Sequence, residues 1–129
     1  MPTTEEHLRL ALQFRKFVEE ANPIQLPGRQ IELAVAACYW SSLHYIDATL
    51  AFPEVNEHPD SDGLRRKIMS RLGHLSSVIE HHRYLNDRYY DAMYRGQTVT
   101  DHDYRDEVFD SYREVVAKTE RILRGKRYL

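Results

Sequence analysis

The segment from about Arg29 to Ala51 constrains the fold more than any other part of the chain. Its apolar residues Ile31, Ala34, Val35, Cys38, Tyr39, Trp40, Leu43, Ile46 and Leu50 cover more than one face of a helix wheel. A helix on the surface of a domain needs only one apolar stripe; a wider one must be touched by neighbours on several sides. Pro27 and Gly28 open the segment, and Pro53 closes it, because proline excludes the helical state from the residue before it. The rest of the chain must therefore supply the cover. With five glycines and five prolines in 129 residues, and helix formers from end to end, the cover is helical rather than a sheet with tight hairpins. A content of 42% apolar residues suffices for one ordinary core, so residues 1–129 read as a single domain.

The covering helices are legible from caps and spacing. Thr3 and Glu6 form a capping box for a first helix carrying Leu10, Ala11, Phe14, Phe17 and Val18, which ends before Pro23. After a loop at Pro53 to Pro59, Asp60 or Ser61 caps a short third helix with Leu64, Ile68, Met69 and Leu72, ended by Gly73. Ser77 and Glu80 have capping-box spacing, which starts a fourth helix there, leaves His74 in a loop and carries the helix to Gly96. Thr100 caps the last helix, whose Tyr104, Val108, Tyr112, Val115, Thr119 and Ile122 follow a three-four spacing into a basic tail of Arg121, Arg124, Lys126 and Arg127. The expected class is all-α: an antiparallel four-helix bundle with an additional short helix.

Within the fourth helix, the run from His81 to Tyr94 holds four tyrosines, two arginines, two aspartates and two histidines while keeping an apolar rhythm. At about 100° per residue, Leu75, Val78, His82, Leu85, Tyr89 and Ala92 line one stripe. His81, Arg88 and Arg95 recur every seventh residue on its flank, so this cationic row borders the core. Either the row lies beside a polar groove or a partner, or it is a wet edge whose arginines find surface carboxylates.

Several classes of function are excluded or disfavoured. A formal charge of −2 gives no global attraction to nucleic acid or anionic membrane, leaving only local patches. Seven histidines make the net charge change sign in mildly acidic solution, where reduced solubility is expected before a pH switch. Cys38 stands alone in an apolar run and cannot form an internal disulfide, which suits a reducing cytoplasm. Residues 1–6 have neither a basic start nor an apolar core, so no signal peptide is expected. Ser41, Ser42, His44 and Asp47 interrupt the longest apolar segment, so no membrane span or membrane association is expected. The glycines at 28, 63, 73, 96 and 125 are too dispersed for a phosphate-cradling loop. No His-Glu-x-x-His occurs, and the adjacent His81 and His82 diverge on a helix, so neither a metal nor another cofactor is expected. A Ser/His/Asp triad is left open, although no serine sits in a strained elbow.

What remains is the chemistry of His, Arg, Tyr and Asp, which suits phosphodiesters. Arginine forks bind phosphate oxygens, a histidine can move a proton near neutral pH, and tyrosines offer faces to unpaired bases. The candidate ligand-binding residues are Arg88, His81, Arg95, Tyr84, Asp91 and Tyr94. An equally direct reading makes Tyr84, Tyr90 and Tyr94 the cover of a dimer interface.

The second-helix run from Cys38 to Leu50 and the fourth-helix run from His82 to Tyr94 together resemble the HEPN superfamily, most of all its small bacterial and archaeal branch. In that branch an aromatic-small-aromatic second helix is followed by a Leu, Arg, Ala, Tyr pattern on the fourth. The likeness spans roughly residues 30 to 123. It implies a helical bundle, usually dimeric, that handles RNA or nucleotides in toxin-antitoxin, defence or nucleotidyltransferase-partner systems. Catalytic members carry an arginine separated from a histidine by four to six residues, and the dimer brings two such pairs into one RNA-cleaving cleft. Arg88 stands where that arginine belongs, but Met93, Tyr94 and Arg95 occupy the three histidine positions, so the motif is not intact on this helix. Of the seven histidines only His102 satisfies the spacing, from Arg95, across Gly96 and Thr100. The expectation is a homodimeric module that binds RNA, a nucleotide or a phosphate-bearing partner without strong catalysis. Its alternatives are a metal-independent endoribonuclease using Arg95 and His102, or Arg88 with His44, and a structural subunit of a nucleotidyltransferase-type protein.

Overall fold

Ala34, Val35, Ala36, Ala37, Cys38 and Tyr39 follow one another in sequence, and every one is buried. Consecutive helical residues point about 100° apart, so such a run has protein on all sides. The computed structural model describes residues 1–20 and 29–129 and meets that demand with helices alone. They are α1 (Thr4–Glu20), α2 (Arg29–Leu50), α3 (Asp62–Leu72), α4 (Ile79–Met93) and α5 (residues 101–125). No strand occurs among the described residues. Helix α2 packs against α1, α4 and α5, α4 packs against α5, and α3 rests on α4. Small side chains in the middle of α2 let these neighbours approach closely, and Ile46 and Leu50 extend the core below them with no exposure. No described helix is long and apolar enough to cross a membrane.

Local chemistry accounts for most of the boundaries. The Thr3 hydroxyl accepts from the Glu6 amide at 3.1 Å, Ser61 from Leu64 at 3.2 Å and Thr100 from Asp103 at 3.0 Å, so each caps its helix. The expected roles of Pro23, Pro27 and Gly28 fall outside the described residues. Helix α2 stops at Leu50, just short of Ala51 and Pro53. Helix α4 ends at Met93, short of the expected Gly96, which at φ +66° turns the chain after it, and the Gln97 amide reaches back to the Asp91 carbonyl at 3.0 Å.

Two elements differ from the sequence reading. Ser77 and Glu80 do not start the fourth helix as a capping box: Ser76–Val78 is a 3₁₀ turn, and α4 follows from Val78 without a side-chain cap. Leu75 and Val78 are both buried, and residues three apart eclipse one another in a 3₁₀ turn, which faces both into the core. The second difference lies in α5, where Tyr104–Val108 is π-helical between α-helical Asp101–Asp103 and Phe109–Gly125. Tyr104, Val108 and Tyr112 are all buried. Two successive four-residue steps would swing an α-helical stripe by about 80°, and the wider π turn takes up that rotation.

The central place of α2 makes Ile46 a sensitive position. Ile46→Ala is expected to lower unfolding free energy by about 2 to 5 kcal/mol, measured by urea denaturation. A loss below about 1 kcal/mol would mean that α2 is not enclosed as described.

Candidate functional site

The flank of α4 carries two arginines held by one carboxylate. Asp91 is buried, and its two oxygens accept separately: Oδ2 from Arg88 Nη2, and Oδ1 from Arg95 Nη1 at 2.9 Å. Asp91 lies three residues after Arg88 on α4, where side chains meet on one face, and Arg95 reaches it from just beyond the helix's last residue, Met93. Arg88 is partly exposed and Arg95 more so, and each guanidinium carries N–H groups beyond the one given to Asp91. Within the fork one aspartate faces two guanidinium groups, with the Glu107 carboxylate beyond Tyr84. Arg88 Nε is buried without a hydrogen-bond partner.

Tyrosines hold both guanidinium groups in place. Arg88 lies over the Tyr84 ring and Arg95 over the Tyr90 ring, each 5.8 Å from the centroid. Tyr84 donates to Glu107 Oε2 at 2.7 Å, which ties α4 to the π-helical part of α5. Burial, followed by the Glu107 carboxylate, raises the Tyr84 phenol above its ordinary range, so it stays a donor. Tyr89, Tyr90 and Tyr94 form a connected aromatic group that continues through Trp40 to Phe14. Tyr90, Met93 and Tyr94 remain exposed, Tyr94 at 69%.

The other sequence candidates separate into different places. His81 faces α5, with Nδ1 3.4 Å from Ser111 Oγ, beside an open cavity of about 520 Å³ lined also by Asp110, Arg113 and Glu114. His102 lies in the first turn of α5 and pairs with Asp106 at 2.9 Å, both side chains well exposed. Arg95 is directed to Asp91, so this conformation does not join Arg95 to His102. His44 faces α1, where its Nδ1 meets His7 Nδ1 at 3.1 Å. Arg88, Arg95, Asp91 and Tyr84 are thus brought together, Tyr94 adjoins them through Tyr90, and His81, His102 and His44 are each engaged elsewhere. Among the described residues no group of three or more His, Cys, Asp or Glu side chains could hold a metal. The buried Cys38 thiol is pushed up to about 12 by desolvation, which suits a small core residue.

A polar network passes unnoticed in the sequence because its members lie far apart there. Arg65 of α3 enters the interior and forks onto Asp47 of α2 through Nε and Nη2, at 2.7 and 2.9 Å, while Nη1 reaches Asp62 at 3.0 Å. Asp62 also accepts from His82 Nε2 at 2.7 Å and from the Tyr39 hydroxyl at 3.3 Å. His82 Nδ1 stands 2.8 Å from Ser42 Oγ. Burial opposes charge on Asp62, but the hydrogen bond from His82 and the neighbouring Arg65 prevail and hold the carboxyl at about 2. Ser42, His82 and Asp62 are therefore linked in the order of a catalytic triad. Ser42 and His82 have no exposure, however, so no substrate reaches the hydroxyl and the network acts as interior scaffolding.

No family model, curated protein or solved structure matches the chain.

Removing one member of the interior network should be costly. Asp47→Ala leaves the buried Arg65 guanidinium with Asp62 alone and is expected to lose about 2 to 4 kcal/mol of unfolding free energy, short of the cost of a wholly unpaired buried charge. Chemical denaturation at neutral pH checks this, and a change within about 0.5 kcal/mol would place Arg65 in water instead. The Asp62 contribution has its own pH signature. Because its folded value lies below the ordinary 3.8, that stabilisation is complete above about pH 4 and fades as pH falls through about 2. Asp62→Asn should flatten the acid limb of the stability curve in that window.

Proposed function

We propose that this chain is a HEPN-like module, an antiparallel four-helix bundle with α3 added, which as a homodimer binds RNA, a nucleotide or another phosphate-bearing partner. Its setting is a toxin-antitoxin, defence or nucleotidyltransferase-associated system, and it works without strong catalysis of its own. The observation that carries this reading is the fork at Asp91, where Arg88 and Arg95 are ordered by one carboxylate and keep donors to spare. A phosphate bound there meets guanidinium groups whose side-chain freedom is already restricted, which lowers the cost of binding. Tyr94 beside them presents a large exposed ring for an unpaired base. The separate engagement of His44 and His102 supports binding over cleavage, since a general base must lie within reach of the reacting group. Exposed Tyr90 and Met93 next to the fork support a contact between copies at this edge.

Arg88→Ala separates a ligand site from a structural tie. Asp91 keeps Arg95 when Arg88 is removed, so the melting temperature should change little. Binding of short single-stranded RNA or a nucleotide should weaken by about 1 to 3 kcal/mol, the scale of a charge-assisted hydrogen bond. Wild-type affinity should also fall as salt rises. Filter binding beside a melting curve reads both properties. A destabilised variant with no ligand bound by either protein would exclude the phosphate-binding reading and leave a structural subunit.

A further inference from the structure

Helix α1 meets α2 along a single seam, with three polar ties in reverse order along the two helices and a fourth, from Arg15, reaching back to Tyr45. The Thr4 hydroxyl donates to the Ala48 carbonyl at 2.8 Å, His7 meets His44 at 3.1 Å, Ser41 donates to the Ala11 carbonyl at 2.8 Å and Arg15 donates to the Tyr45 hydroxyl at 3.1 Å. Beyond the seam, Arg15 reaches Glu120 of α5, and the first residues border the cavity at residues 51–58 and Tyr128. The side chains of α1 that the seam encloses are few: Thr4, His7, Leu8, Ala11 and Val18.

We propose that α1 is a proton-released helix, in which protonation of the His7–His44 pair undocks it from α2 while the remaining helices stay packed. The two Nδ1 atoms face one another at hydrogen-bonding distance, so the space between them accommodates one proton. When both rings are neutral, one Nδ1 donates and the other accepts. A further proton turns the acceptor into a second donor and sets two N–H groups against each other.

The surroundings give that extra charge little relief. Phe14 of α1 stacks on the His44 ring, offering an apolar face and no acceptor. Asp47 of α2 favours protonation but is already forked onto Arg65 of α3, whose positive charge acts on both histidines in the opposite sense. His58, in the loop after α2, also disfavours a charge on His7, while Glu6 on α1 favours one. With burial as the largest influence, both rings bind protons less readily than a histidine in water, His44 at about 4.

The direction of the pH effect follows from proton counting. A histidine freed from the seam returns toward its ordinary value of 6.5, so the undocked state takes up protons first as pH falls. Docking is therefore full above about pH 6.5 and weakens progressively toward pH 4. The loss falls on α1 before the rest, because His7 and His44 meet only where α1 docks on α2.

Amide hydrogen exchange at pH 8 and pH 5, corrected for the intrinsic rate, tests the proposal on the full chain. Opening of residues 4–20 should rise on the order of tenfold at the lower pH, a linkage value reduced for the partial exposure of His44, while α4 keeps its protection. His44→Gln should remove most of that increase, since an amide offers His7 a partner without titrating. Equal pH dependence in His44→Gln, or simultaneous loss of protection in α1 and α4, would overturn the proposal. Should that variant fail to fold, NMR titration of the wild-type ring protons decides alone. Both histidines titrating near 6.5 with α1 still protected contradicts release, and titration below that value, accompanied by α1 exchange, supports it.

Discussion

Arg65 is the one buried arginine or lysine among the described residues, and its guanidinium dictates what surrounds it. Its donors must meet acceptors inside the protein, because an unpaired buried charge costs several kcal/mol. Asp47 meets that need from α2 and Asp62 from within α3 itself. Asp62 then draws in Tyr39 of α2 and His82 of α4, and His82 ends the chain of contacts on Ser42. Three helices are thereby fixed in register by groups whose hydrogen bonds have directions, which apolar contacts lack. A buried ion pair adds little net stability over well-packed apolar residues, so its contribution here lies in selecting one arrangement.

That arrangement decides which part of α4 is left for function. His82, Leu85 and Tyr89 turn into the core, and the adjacent flank carries Arg88, Asp91 and Arg95 along its edge. Asp91 is buried enough to restrict both arginines, which remain exposed enough to meet a ligand. Tyr84 extends the edge to α5 through Glu107, and the π turn at Tyr104–Val108 is where that contact lands. A rigid interior and an ordered cationic edge are thus two sides of one helix.

The sequence made the framework readable where the cause was local. Ser61 and Thr100 are caps three residues from the amides they bind, and the breadth of the apolar surface on α2 follows from residue order alone. The stripe that places His82 among apolar residues was likewise readable, but its partners were not, since Asp62 and Ser42 lie 20 and 40 residues away. Pairing of Arg65 with Asp47 was hidden for the same reason, and so was the meeting of His7 with His44 across 37 residues. The Ser77–Glu80 spacing suggested a cap that the core contacts of Leu75 and Val78 override. At the candidate site the row of His81, Arg88 and Arg95 was visible as a periodicity. Its division was not, because α5 engages His81 while Asp91 gathers the two arginines.

The central claim is that this edge of α4 recognises phosphate, and NMR of the arginine side chains reads it most directly. Nε–H signals of Arg88 and Arg95 can be followed while a short single-stranded RNA is added at low salt. The account predicts saturable shifts at these two side chains and at the Tyr94 ring, with the Arg65 signal unmoved behind its carboxylates. Shifts confined to other surfaces, or none at millimolar RNA, would contradict it.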